Sequence, residues 1–114
     1  MIEKIVINYL RAAGLSIGEE VYPEKPVDPP EEYVLVEKTG SGRANRIDRA
    51  MVAVQSISKN SMLRAAQINE EVKDAMDGIV RLAQIFSCGL NSDYNFTNIN
   101  TKEYRYQAVF NIYY

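Results

Sequence analysis

The chain has 114 residues, 46% of them hydrophobic and 25% charged, with a formal net charge of −2 at pH 7. That length suits one core, so a single domain over 1–114 is expected, and the charge offers nucleic acid no global attraction. Histidine is absent and Cys88 is the lone cysteine, which excludes an intramolecular disulfide and a Cys–His or Ser–His nucleophile pair and leaves a structural zinc site without its usual thiolate and imidazole ligands.

No apolar run reaches the roughly 18 residues of a membrane-spanning helix, so no membrane partner is expected. The start, Met1-Ile2-Glu3-Lys4-Ile5-Val6, places a carboxylate where a signal peptide has positive charge, so export by that route is not expected.

Ile2, Ile5, Val6, Tyr9, Leu10 and Ala13 form one apolar stripe at helical spacing, which predicts a helix over Ile2–Ala13 ended by Gly14. Ile17–Tyr22 reads as a short extended piece. Pro23, Pro26, Pro29 and Pro30 then remove backbone donors and fix φ, predicting an extended connector. Pro26-Val27-Asp28-Pro29 has the spacing of a proline-rich ligand. It lies between Glu24 and Glu31–Glu32, however, and not beside basic residues, so a stiff surface loop is the better reading.

Tyr33–Thr39 reads as a strand whose Val34-Leu35-Val36 run suggests burial on both faces. Gly40-Ser41-Gly42-Arg43-Ala44-Asn45-Arg46 reads as a flexible basic connector. A second strand over Ile47–Ser58 would complete a hairpin with a long loop. Ser61 is a candidate N-cap for a helix carrying Met62, Ala65, Ile68 or Asn69, Val72, Met76 and Ile79, with Asp77-Gly78 as the stop. Val80–Ser87 resembles a strand, Cys88–Asp93 a turn, and Tyr94–Ile99 a weak strand or loop.

Tyr104 to Tyr114 alternates strictly. Tyr104, Tyr106, Ala108, Phe110 and Ile112 fall on one side, and Arg105, Gln107, Val109, Asn111 and Tyr113 on the other. A strand with one buried face requires this pattern, because successive side chains point to opposite faces. The expected class is α+β.

The glycine loop stands before Arg43, Arg46 and Arg49. A phosphate cradle is one reading, but neither the phosphate-loop motif nor the dinucleotide fingerprint is present. A glycine-flexed hairpin tip is the plainer reading, and a partner-docking or DNA-facing loop is compatible with it. Glu19, Glu20, Glu24, Asp28, Glu31 and Glu32 cluster around the prolines. Paired carboxylates can hold a divalent ion, but a charge run on a surface segment is more simply a solvated face.

Among eight tyrosines, Tyr104 and Tyr106 suit core packing, and Tyr113 and Tyr114 suit an interface. Cys88 reads as a small half-buried apolar residue. Asn95-Phe96-Thr97 matches a glycosylation acceptor and is taken as chance. No enzyme activity, cofactor or metal is expected. A carboxylate-only metal nuclease is the faintest alternative, since no strand-end carboxylate pair suggests one.

The layout resembles the tail terminator, or tail completion, proteins of long-tailed bacteriophages. The resemblance rests on the N-terminal amphipathic helix followed by Val21-Tyr22-Pro23-Glu24-Lys25-Pro26. Next comes the strand and glycine turn Tyr33-Val34-Leu35-Val36-Glu37-Lys38-Thr39-Gly40. Met62-Leu63-Arg64-Ala65-Ala66 and the closing Tyr104-Arg105-Tyr106-Gln107-Ala108 complete it. The resemblance implies a mixed or mainly antiparallel sheet with two helices packed on one face. It implies a homo-oligomeric ring, typically hexameric, on the last ring of the tail tube in the virion neck, assembled in the bacterial cytoplasm. The implied partners are the tail tube protein and the head completion or connector protein, with DNA passing through the ring. Candidate contact residues are Gly40, Ser41, Gly42, Arg43, Asn45, Arg46 and Arg49 in the hairpin, and Tyr113 and Tyr114 at the terminus. The alternative is a small nucleic-acid-binding α+β module, with the arginines on phosphates and the tyrosines on bases.

Overall fold

The computed structural model describes residues 1–98, 100–101 and 103–114. Helix α1 (Ile2–Arg11) leads into a brief strand β1 (Val21–Tyr22), and the proline segment connects this to β2 (Glu32–Ala44). Strand β3 (Ile47–Ser58), helix α2 (Met62–Asp77) and a 3₁₀ turn at Ile79–Arg81 follow, then strands β4 (Ser87–Asn95) and β5 (Tyr104–Tyr113). The five strands form one sheet in the order β1-β2-β3-β5-β4. Only β1 and β2 pair in parallel; the other three neighbouring pairs are antiparallel. The fold is α+β with a mixed sheet.

The periodicities explain which face is covered. Val34 and Val36 of β2, Ala50, Val52 and Val54 of β3, and Ala108, Phe110 and Ile112 of β5 are buried on one side of the sheet. Ile2, Val6, Ile7 and Leu10 of α1 and Ile68, Val72 and Met76 of α2 pack against them in a single core cluster. Both helices therefore lie on the same face, each burying one apolar stripe.

Helix α2 begins where Ser61, in extended conformation, accepts a hydrogen bond from the Arg64 amide at 3.1 Å, and it ends at Gly78. Gly78 also has a packing role: a Cβ there would stand 2.8 Å from the Tyr9 hydroxyl. That hydroxyl donates to the Ala75 carbonyl at 2.6 Å and ties α1 to α2.

Two polar clasps fix the periphery. Glu32 accepts from Arg64 Nε and Nη2, each at 3.0 Å, and from Ser58 Oγ at 3.0 Å, which locks α2 onto the start of β2. The Arg64 guanidinium holds the Glu32 carboxyl below its usual range, and Ser58 and Asn60 add to this against the opposing effect of burial. On the opposite sheet face, Glu103 is buried. It accepts from Tyr33 Oη at 2.7 Å and Lys25 Nζ at 2.8 Å, pinning the proline segment over β2. Burial pushes the Glu103 carboxyl up, but Lys25 and Tyr33 outweigh it and the net direction is down.

Several sequence expectations are corrected. Gly40–Ala44 is not a loop: β2 runs through it, paired residue by residue with Ile47–Met51 after a register shift between Lys38 and Gly40. Only Asn45 and Arg46 turn the chain, with φ of 52° and 65°. Glycine permits a bend, but here the partner strand's hydrogen-bonding groups hold the backbone extended.

Of Val80–Ser87 only Ser87 is strand; Leu82 and Ile85, with Ile79 just before them, cap the core from a 3₁₀ turn and bends. Cys88–Asp93 is not a turn but the middle of β4, because β5 needs a partner on its outer side. Of the weak piece over Tyr94–Ile99, Tyr94 and Asn95 close β4 and Asn98 bridges Glu103, while Ile99 lies outside the described residues. Helix α1 stops at Arg11, before Ala13, and of Ile17–Tyr22 only Val21–Tyr22 is strand. Tyr104 and Tyr106 are only half-buried.

Replacing Phe110 by Ala should lower unfolding free energy by about 3–5 kcal/mol in urea titrations, since its ring joins α2 to the sheet centre. The Glu32 clasp has a definite sign with pH. Its folded pKa is depressed, so its stabilisation is present above the ordinary value of 4.5 and is lost as pH falls through the lower folded value. Urea midpoints measured from about pH 6 to about pH 3 should fall less steeply for Glu32→Gln than for the unaltered chain.

Candidate functional site

The end of the sheet built by the β2–β3 hairpin brings together every contact residue expected from sequence. Asn45 and Arg46 both sit in the left-handed region, the geometry of a two-residue type I′ hairpin turn whose twist matches the strands. One step back, Arg43 faces Asp48 and the two form an ion pair. That pair holds the Asp48 carboxyl below its usual range and raises the Arg43 guanidinium. One step further, Gly42 faces Arg49. A Cβ at Gly42 would lie 3.4 Å from Arg49 Nη2, so the missing side chain seats the guanidinium flat across the strand.

The chain terminus reaches the same place. Tyr113 pairs with Arg49, and Tyr114 exchanges backbone hydrogen bonds with Asp48 at 2.8 and 2.9 Å. Two shallow hollows result. One, of about 450 Å³, is lined by Gly42, Arg43, Ala44, Asn45, Ile47, Arg49 and Tyr113. The other, of about 370 Å³, is lined by Lys38, Ser41, Gly42, Arg43, Asp48 and Tyr114. On β2, Gly40 faces Met51 and Ser41 faces Ala50.

Ile47 and Met51 were not anticipated from sequence. They are exposed, at 38% and 37%, on the same face as Arg49 and Tyr113. The alternation over Ile47–Ser58 contains the signal: residues on the odd face lie opposite the helices, and those nearest the tip run out beyond the body that covers Ala53 and Ile57.

The open sheet face carries a polar ladder. Arg105 Nη1 donates to Gln55 Oε1 at 3.0 Å, Gln55 Nε2 to Gln107 Oε1 at 2.8 Å, and Gln107 Nε2 to Tyr94 Oη at 2.5 Å. These side chains bond to one another across three strands, while Arg105 Nε is buried without a partner. Burial, with the Asp77 charge adding, pushes the Cys88 thiol up to about 11, so it is no thiolate near neutral pH. Among the described residues no group of three or more His, Cys, Asp or Glu side chains is placed to hold a metal ion. Within the same residues no helix is long and apolar enough to cross a membrane. The carboxylates around the prolines are partly engaged elsewhere: Glu32 takes Arg64, and Glu20 takes the Tyr22 hydroxyl.

No protein-family model and no curated protein matches the chain. A solved chain from the virion of a native gene transfer agent (GTA) particle is similar in structure. The match covers 98% of this chain and 92% of that one, at a TM-score of 0.78 and 19% identity. The two share a fold across essentially their whole length.

The hairpin turn yields a direct test. Arg46 bears a Cβ at positive φ, so Arg46→Gly should raise stability by about 0.5–1 kcal/mol in urea titrations. Arg46→Val should lower it by at least about 1 kcal/mol.

Proposed function

We propose that the chain is a structural protein of a phage-like particle, a tail terminator or tail completion protein. In this reading it caps the tail tube as a homo-oligomeric ring, hexameric in the type the layout resembles. The ring ends tube polymerisation and supplies the surface that joins the head completion or connector protein, with DNA passing through its centre. Its place is the tail or neck of the virion, after assembly in the bacterial cytoplasm. It is not an enzyme.

The observation that carries this reading is the shared fold with a chain of a gene transfer agent virion, end to end. The geometry is consistent with it: exposed Arg46, Arg49, Ile47, Met51 and Tyr113 gather at one end of a rigid sheet. Mixed cationic and aromatic surface of that kind suits a protein contact. The alternative of a small nucleic-acid-binding module has less support. Tyr104 and Tyr106 sit half-buried on the helix side of β5, and the exposed rings of Tyr94 and Phe96 meet edge to face at 6.0 Å, not as a flat stacking platform.

Light scattering coupled to size exclusion, across a wide concentration range, should give a discrete oligomer, and imaging should show a central hole. A monomer at every concentration, with no ring when tail tube protein is added, would overturn the proposal. Reversing Arg43, Arg46 and Arg49 together to Glu should change assembly or tube binding while leaving the far-ultraviolet circular dichroism intact. Normal assembly and binding by that variant would remove the hairpin from the contact surface.

A further inference from the structure

The sheet has two open edges, and they complement each other. Strand β4 forms one outer edge along nine residues, all at least partly exposed. It contains no Lys, Arg or Pro, the residues that ordinarily blunt an edge, and it shows Leu90 at 48% and Tyr94 at 42% exposure. Its only irregularity is the shift between Leu90 and Ser92. At the opposite edge β1 covers β2 only at Val34 and Leu35, so no described strand pairs with the outer side of β2 from Glu37 to Ala44.

The registers place these free segments on the same levels. Gly40, Met51, Asn111 and Gly89 make one row across the sheet, and Lys38, Val52, Phe110 and Leu90 make another. Each strand from β2 to β4 is antiparallel to its neighbour, so β2 and β4 run in opposite directions. A second copy set beside the first in the same orientation therefore presents its β2 antiparallel to β4, the better hydrogen-bonded arrangement.

We propose that the free half of β2 in one copy pairs antiparallel with β4 of a second copy, head to tail, so that the sheet continues from subunit to subunit. This deepens the ring reading and rests on it, because a head-to-tail contact closes into a ring or runs on as an open filament.

The test uses two proteins in a Cys88→Ala background, one carrying Lys38→Cys and the other Leu90→Cys, treated with a short bifunctional maleimide. Cross-linked dimer is expected in the mixture and not with either protein alone. Hydrogen exchange on the unaltered chain should show amides of Glu37–Ala44 and Ser87–Asn95 slowed about tenfold or more in the oligomer relative to the dilute monomer. Rings without mixed cross-links or edge protection would overturn the edge pairing and leave the ring reading standing. Mixed cross-links in open chains would support the edge pairing and defeat the ring. Cross-linking by the Leu90→Cys protein alone would replace the proposal with a two-fold β4–β4 contact. A monomer with neither signal would overturn both.

Discussion

The continuous pairing of β3 with β5 is the constraint on which the rest of the structure depends. It runs without a bulge from Ser58 opposite Tyr104 to Arg49 opposite Tyr113, joining the middle of the chain to its final residues. Both strands put apolar residues toward the helices, Ala50, Val52 and Val54 on β3 beside Ala108, Phe110 and Ile112 on β5. Helix α2 sits across both. A one-residue slip in this register would turn every one of those side chains to the open face, so burial on one face specifies the register strongly. The outer strands are then added to a platform already defined: β2 on β3, and β4 on β5.

Polar groups in this protein act as fasteners more than as chemistry. The Glu32–Arg64 pair secures α2 to the sheet margin, Glu103 draws the proline segment onto Tyr33, and the Gln55–Gln107 row knits the open face. In each of these three groupings the carboxylate or amide is taken up by a neighbouring donor. A chain without histidine and with a neutral thiol has little catalytic repertoire, and the geometry uses its carboxylates for holding elements together. What remains available at the surface is shape: a rigid sheet, an exposed hairpin end with Arg46 and Arg49, and two unpaired edges.

Much of the fold was legible in local pattern. The β3 boundaries, the Ser61 cap, the Gly78 stop and the alternation of Tyr104–Tyr113 follow from side-chain periodicity and from residues whose backbone preferences are strong. Those elements bury a face or carry a cap, so their reasons are written in neighbouring residues. Strand β4 has neither property. Its middle, Cys88-Gly89-Leu90-Asn91-Ser92-Asp93, is mostly small and polar and reads as a turn. It is extended because the outer hydrogen-bonding groups of β5 select it. Gly40-Ser41-Gly42 was misread for the same reason: its strand conformation is imposed by Met51, Ala50 and Arg49 across the ladder.

The sequence by itself determined the α+β class, the two amphipathic helices, the central strands and the exclusion of a Cys–His or Ser–His pair, because each depends on residue type or on residue type at short spacing. Only the tertiary structure decided that the hairpin tip and the terminal tyrosines share one end of the molecule, that Asn45 and Arg46 alone make the turn, and that β4 and the far half of β2 are open at matching levels. Those features depend on hydrogen bonds between backbones distant in the chain. Every residue has the same backbone donor and acceptor apart from proline, so side-chain pattern carries little record of which strands they will join.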